Sequence, residues 1–306
     1  MYNKNKTTLF IKEKAIKYGF DACGISLPAI LNYESSYLKK WLKNRKHGNI
    51  KYLENNIEEK TDLFKIFKNT KSVIALIKSY YCTEKQTEHA FYKIAKYAYV
   101  NDYHIILKNK TNEYIKELKT EIKNAELKIF IDSNYVLEKT WAARCGLGWI
   151  GKNTLLVNEN FGSFVFIVII LTDIELEYDE VYNKNCGNCN LCVEACPVGA
   201  IEQPYNLNAS KCISYLTIED KNITKQKAKD LTQGWIYGCD ICQNICPYNK
   251  NILPTNNSQF IPNKHILQMT RKEWENLDET TFNNIFKDSA IKRIGFGKIK
   301  KNIEIA

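Results

Sequence analysis

Apolar residues return at helical intervals over residues 8–18 and 105–118, whereas 72–77, 127–131 and 164–171 are short runs rich in β-branched side chains. The pattern predicts helices over the first two segments and strands over the other three. The run FVFIVIIL at 164–171 is apolar throughout. It falls far short of the ~20 residues needed to span a bilayer and reads as a buried strand. Helix and strand alternate up to about residue 180, which predicts a layered α/β domain over 1–180. Two further units are expected: a cysteine-rich one over 181–250 and a helical C-terminal segment over 251–306. The overall class is therefore α+β.

The opening stretch MYNKNKTTLFIKEKAIKYGF carries lysines but no apolar core followed by small residues, so it is an amphipathic helix and not an export signal. A cytoplasmic protein without a membrane segment is expected. Its 44 basic against 34 acidic side chains give a formal charge of +10. That excess suits a nucleic-acid partner through phosphate neutralisation, although a solvated Lys-rich surface has the same composition. Eleven cysteines in a compartment that keeps thiols reduced point to metal or redox use and away from disulfides.

Eight of those cysteines lie between residues 186 and 246. In CGNCNLCVEACPVGA, Cys186, Cys189, Cys192 and Cys196 follow C-x2-C-x2-C-x3-C-P, the bacterial ferredoxin run. In two-cluster ferredoxins the fourth cysteine turns away to the other cluster, so a second run is required. GCDICQNICPYN supplies Cys239, Cys242 and Cys246, but the first position of a full run, 236, is Ile. Cys212 is the natural substitute. One [4Fe–4S] cluster is thus predicted on Cys186, Cys189, Cys192 and Cys246, and a second on Cys196, Cys212, Cys239 and Cys242. The rival is a pair of four-cysteine zinc sites, which also use C-x2-C pairs. Cys23, Cys82 and Cys145 lie outside any ligand spacing and read as small buried hydrophobes.

Three other motifs fall short. GLGWIGKN at 146–153 matches G-x-G-x-x-G, but VLEKTWAARC before it reads as a helix and a strand follows, the reverse of a dinucleotide site. The same residues approach a P-loop, with Asn153 where a magnesium-binding hydroxyl belongs. DYHIIL at 102–107 approaches the D-x-H-x-x-G of proteins that bind cobalamin through histidine, with Leu107 in place of the glycine. His104 is accordingly expected to be a helix-start histidine held by hydrogen bonds, at most lining a pocket.

Taken in order, YAYVNDYH (97–104), DSNYVLEKTWAARCGLGWIGKNTLL (132–156), the ferredoxin run, KCISYLTIE (211–219) and IYGCDICQNICPYN (236–249) resemble the epoxyqueuosine reductases over essentially the whole chain. Tyr99, Val100, Tyr135 and Lys139 depart from the residues usual in that family. The resemblance implies a cobalamin and iron–sulfur enzyme that reduces an epoxide on a modified guanine at the tRNA wobble position. An electron donor that the sequence does not identify would feed it. It also implies that Asp132 is the proton donor, its pKa raised by burial beside the corrin; without the resemblance Asp132 would read as a helix N-cap.

Corrin contacts implied in the same way are Tyr97, Asp132, Lys152, Asn153, Ser214, Thr217, Gly238, Cys239 and Asp240; with no D-x-H-x-x-G site in the chain, cobalamin is expected to bind without a histidine on cobalt. The sequence further suggests a monomer. The C-terminal stretch 287–302, with Lys287, Lys292, Arg293, Lys298, Lys300 and Lys301 against the single acid Asp288, is expected to contact tRNA phosphates. Because the chain stops at Ala306, the helical-repeat extension of some members is expected to be absent. The rival readings are a reductive dehalogenase, which is typically exported, and an electron-transfer module with no active site.

Overall fold

The computed structural model describes residues 3–224 and 231–306. Its centre is a four-stranded sheet in the spatial order Ala22–Ser26, Ser72–Ser79, Val165–Thr172, Leu127–Phe130, antiparallel throughout. Successive strand residues point to opposite faces. Ile74, Leu76, Phe166, Val168 and Ile170 therefore pack under the helices Lys4–Lys17 and Tyr103–Glu121, against Ile11, Ala15, Leu107, Tyr114 and Leu118. Val73, Ala75, Ile77, Ile169 and Leu171 pack on the other side, against Leu31, Leu63, Trp141 and Ala142. With both faces covered, neither central strand has a polar side, and all eight residues of Ser72–Ser79 are buried.

Helices over 8–18 and 105–118 and strands over 72–77, 127–131 and 164–171 are all present, each shifted by only a few residues at its ends. Ala22–Ser26 is an addition to the predicted strands, because Cys23 and Gly24 interrupt its apolar pattern. Gly24 is required there: a Cβ would lie 1.9 Å from the Cys145 carbonyl oxygen, so the end of the helix Glu138–Arg144 rests directly on strand backbone. Cys82 and Cys145 are buried and Cys23 packs partly buried against the core. GLGWIGKN follows that helix and turns into a hairpin pairing Trp149–Ile150 with Leu156–Val157. Gly148, at φ +137, lets the two strands close, since a Cβ would sit 2.1 Å from the Val157 carbonyl oxygen. Gly148 thus serves backbone approach within a strand pair.

The described part of the cysteine-rich region includes the short helices Leu191–Glu194, Ile213–Ile218 and Ile241–Asn244 and a small hairpin. A buried polar network joins it to the sheet domain. Ser163 Oγ donates to Gln243 Oε1 at 2.9 Å, Asn249 Nδ2 donates to Ser163 Oγ at 3.0 Å, and Gln243 Nε2 donates to Asp240 at 3.1 Å. Each of these side chains has a partner, which is what makes burying amides and hydroxyls tolerable.

The helices after residue 260 form a third core with Tyr92, Ile94, Tyr99, Ile236 and Tyr237, around Trp274, Phe282, Phe286 and Ile299. The segment 287–293 is thereby carried over the start of the Tyr103–Glu121 helix. Among the described residues no helix is long and apolar enough to cross a membrane.

Candidate active site

The short cysteine helices fold the two runs against each other. Cys192 lies within range of the charges of Cys186, Cys246 and Cys189, and Cys246 within range of Cys186 and Cys189. Cys239 neighbours Cys212 and Cys196, and Cys242 neighbours Cys212 and Cys239. The chain so gathers Cys186, Cys189, Cys192 and Cys246 into one group and Cys196, Cys212, Cys239 and Cys242 into another. Cys192 of the first group is also near enough to Cys242 of the second for its charge to be felt there. Cys196 Sγ accepts from the Ala200 amide at 3.3 Å, the kind of donor that steadies a thiolate.

A short turn leads from the second group to a cavity. Gly238, before Cys239, sits at φ +68 with its amide donating to Thr217 Oγ1 at 3.0 Å, and a Cβ there would press on Ala95 at 2.6 Å and on the Tyr97 ring at 3.4 Å. Tyr97 lines a cavity of about 330 Å³ with Tyr103, His104, Asp132, Tyr237 and Arg293. Tyr97 stands between Tyr103 and Tyr237, with ring centroids 6.2 and 5.8 Å away.

Asp132 is not a helix cap. The following helix starts at Glu138, and its N-cap Leu137 makes no side-chain bond. Instead Asp132 adopts φ +47, a conformation that side chains rarely take, and its Oδ2 accepts from the Tyr103 hydroxyl at 2.7 Å and from His104 Nε2 at 3.1 Å. Asp102 caps the Tyr103–Glu121 helix by accepting from the His104 amide at 3.0 Å, and it also lies 2.7 Å from His104 Nδ1. His104 is therefore the helix-start histidine expected, and it lines the cavity.

The expected rise in the pKa of Asp132 is not found. The Asp132 side chain is 63% exposed, and hydrogen bonding from His104, reinforced by Tyr103, holds its carboxyl below the ordinary value against partial desolvation by the cavity walls. The proton resides next door: hydrogen bonds to Asp102 and Asp132 raise His104 to about 9. Burial pushes Glu138 up to about 8, and its Oε1 accepts from the Ser133 amide at 2.8 Å. Asp132, Glu138 and Lys139 share a second, smaller cavity of about 150 Å³.

The other residues singled out by resemblance do not all converge here. Lys152 is buried and its ammonium donates to the Gly187 carbonyl at 2.8 Å and to Asn190 Oδ1 at 3.0 Å, clamping the first cysteine loop; Asn153 Oδ1 accepts from the Leu155 amide at 3.2 Å. Neither lines the two cavities beside Asp132. Asp240 is buried, accepts from the Lys96 amide at 2.6 Å, and is raised by burial to about 6. Thr217 is buried under the turn it holds, and Ser214 is half-buried one helical turn away.

The basic C-terminal stretch is mostly occupied within its own chain. Lys298 donates to the carbonyls of Leu216 and Asp220, Lys300 to those of Glu275 and Leu277, Lys301 to that of Lys221, and Arg293 to Glu219 at 2.8 Å. Lys287 and Lys292 remain at the cavity rim. Sequence reasoning gave no role to Tyr103, Glu138 or Tyr237. The one signal for this group was the Asp102-x-His104 pair, already noted for its resemblance to a cobalt-binding motif.

Two gathered cysteine groups beside a carboxylate-lined cavity are the layout of an iron–sulfur oxidoreductase, and residues 185–249 match a family model described as a 4Fe-4S double cluster binding domain. Residues 60–133 match a family model described as epoxyqueuosine reductase QueG. The epoxyqueuosine reductase of Cellulophaga algicola is 41% identical over 99% of both chains, and that of Escherichia coli is 31% identical over 99% of this chain and 81% of its own. The solved epoxyqueuosine reductase of Streptococcus thermophilus superposes with a TM-score of 0.84 at 25% identity, over 96% of this chain and 79% of the other. A further solved epoxyqueuosine reductase, with a tRNA-Tyr epoxyqueuosine-modified stem loop, has the same fold at a TM-score of 0.87 and 23% identity, over 97% and 80%. The chain belongs to the epoxyqueuosine reductase family.

Proposed function

We propose that this chain reduces epoxyqueuosine in the anticodon loop of tRNA to queuosine, with Asp132 as proton donor and electrons delivered through two [4Fe–4S] clusters. The observation that carries the reading is full-length relatedness to epoxyqueuosine reductases, together with a cavity that holds Asp132 and takes one wall from Tyr237, two residues before Cys239. One cluster is held by Cys186, Cys189, Cys192 and Cys246, the other by Cys196, Cys212, Cys239 and Cys242. The first working unit is 1–180, the cluster unit 181–250, and 251–306 closes the cavity and meets tRNA. On this reading the chain acts as a monomer in the cytoplasm, where its tRNA substrate is found.

Cobalamin, when bound, supplies a strongly nucleophilic, one-electron-rechargeable centre. The chain's own residues suit it in one testable respect. Both nitrogens of His104 are engaged by carboxylates, so this imidazole is not offered to cobalt. Tyr97 and Asp132 would border it, with Ser214, Thr217, Gly238, Cys239 and Asp240 in or behind the turn that carries the second cysteine group, Lys152 holding the first cysteine loop and Asn153 shaping its own turn. The tRNA base must leave its stack to reach Asp132, and Lys287 and Lys292 are placed to hold its phosphates.

The test is conversion of epoxyqueuosine-containing tRNA by chemically reduced, cobalamin-loaded protein, followed by nucleoside analysis. Queuosine formed with cobalamin and not without it is expected. Retention of epoxyqueuosine under both conditions would sink the reading.

A further inference from the structure

We infer that His104 is a positioning residue that reloads Asp132 with a proton, so that a single carboxyl group serves both protonations of the reduction. The inference rests on the proposed function and begins with its stoichiometry. Epoxide, two electrons and two protons give alkene and water. Breaking the first C–O bond leaves an oxygen that takes one proton as a hydroxyl. Breaking the second releases that hydroxyl, which takes the other proton and leaves as water. Asp132 rests ionised, so each proton it passes on must first be drawn from a store within reach.

The geometry supplies it on the same oxygen. His104 Nε2 is 3.1 Å from Asp132 Oδ2, and His104 Nδ1 is 2.7 Å from Asp102 Oδ1. Passing the Nε2 proton to Asp132 leaves a neutral imidazole whose remaining Nδ1–H points at Asp102, the tautomer that Asp102 stabilises. The Tyr103 ring stacks on His104 at 4.0 Å and on Phe166 at 4.2 Å, which fixes the plane of the imidazole. The side chain of His104 is 39% exposed, so Nε2 can be recharged from solvent.

The groups that face His104 come from four segments. Asp102 and Tyr103 adjoin it, Asp132 and Glu138 lie on the strand-to-helix connection and the helix after it, Tyr97 and Tyr237 line the wall, and Lys287, Lys292 and Arg293 cover the mouth. The three cations oppose protonation of the imidazole, and the two hydrogen-bonded carboxylates outweigh them, since His104 is raised to about 9. A raised histidine keeps its proton below its folded pKa, so the store is full at neutral pH and empties as pH climbs past about 9. Tyr103 is no substitute, because burial moves its phenol far above the ordinary value of 10.

The test compares His104→Gln with the parent in single-turnover conversion across pH, using loaded and chemically reduced protein. The glutamine can still donate to Asp132 but carries no transferable proton. The parent rate is expected to hold level through neutrality and fall only near pH 9. The variant should trail the parent by about 10²-fold near pH 8 and close on it only as pH falls toward the ordinary carboxyl value of about 4, where solvent protonates Asp132 directly. A deficit of equal size at every pH would mean a merely structural role and would overturn the inference.

A second measurement needs no turnover: titration of the ¹⁵N-histidine signals of the loaded protein. His104 should titrate well above the ordinary value near 6.5 in the parent and fall toward it in Asp132→Asn. Ordinary titration in both proteins would equally overturn the inference. Failure of the parent to convert tRNA at any pH would instead strike the proposed function, while the histidine titration would still decide the proton store.

Discussion

The cysteine region and the Asp132 cavity are parts of one site, yet they are encoded in opposite ways. The cysteines sit within 185–249 at spacings set by how a chain wraps a cluster, and short helices aim them. The cavity draws on Tyr97 and His104 before and within a long helix, Asp132 after a strand, Tyr237 beside the cysteines and Arg293 near the C-terminus. No spacing connects them. A ligand group whose geometry is fixed by an inorganic core leaves a local signature. A proton-handling group is fixed by tertiary packing and leaves almost none.

The sharpest way to break this contrast is to remove a cysteine that crosses between the groups. Cys246→Ala should strip the cluster shared with Cys186, Cys189 and Cys192, lowering iron and acid-labile sulfide from about eight to about four per chain and abolishing turnover. Cys196→Ala should strip the other cluster, although Cys196 belongs to the first run. Zinc in place of iron after anaerobic reconstitution, or loss from Cys196→Ala of the cluster assigned to its own run, would show that the crossing is wrong.

Next in size is Asp132→Asn. The amide can still accept from Tyr103, so the local fold and both clusters should survive, but it cannot carry an acidic proton. Single-turnover conversion should drop by about 10²–10⁴, with tRNA affinity unchanged. Near-normal conversion would move the acid elsewhere, with Glu138, raised by burial to about 8, as the next carboxyl to test.

Much of the sheet domain was legible because burial on both faces makes its central strands apolar without interruption, as in FVFIVIIL. Ala22–Ser26 was not, because its Gly24 answers to the Cys145 carbonyl across the fold and not to its neighbours in sequence. The role proposed for Asp132 came from family resemblance, and its charge state was misjudged. Burial was expected, but the Asp132 side chain is largely exposed, and the hydrogen bond from His104 that sets its charge depends on where a helix 28 residues earlier begins. The run of C-terminal lysines misled for a similar reason, since a charge pattern cannot tell which ammonium groups will find backbone carbonyls.

A smaller effect should follow at the joint between the two regions. Gly238 is left-handed and packed against Ala95 and Tyr97, so Gly238→Ala forces both strain and a clash of 2.6 Å. A loss of about 1–3 kcal/mol in unfolding free energy is expected, with the Tyr97 wall displaced. An unchanged denaturation midpoint would mean that the turn is looser than its packing implies.

The smallest expected effect separates lysines that hold the fold from lysines that face the cavity. Lys287 and Lys292 stand at the rim, the nearest acid to Lys287 being Asp288 at 3.9 Å. Lys298 is half-buried on two carbonyls. Replacing Lys287 and Lys292 together with Gln should leave thermal stability unaltered and weaken tRNA binding. Every phosphate that goes unneutralised on a single-stranded loop should flatten the slope of log affinity against log salt by about 0.7. Lys298→Gln should do the reverse, lowering stability by about 1–2 kcal/mol through loss of charged hydrogen bonds while keeping the salt slope. If both variants flatten the slope equally, the C-terminal stretch acts as one diffuse basic surface, and the division drawn from its carbonyl partners fails.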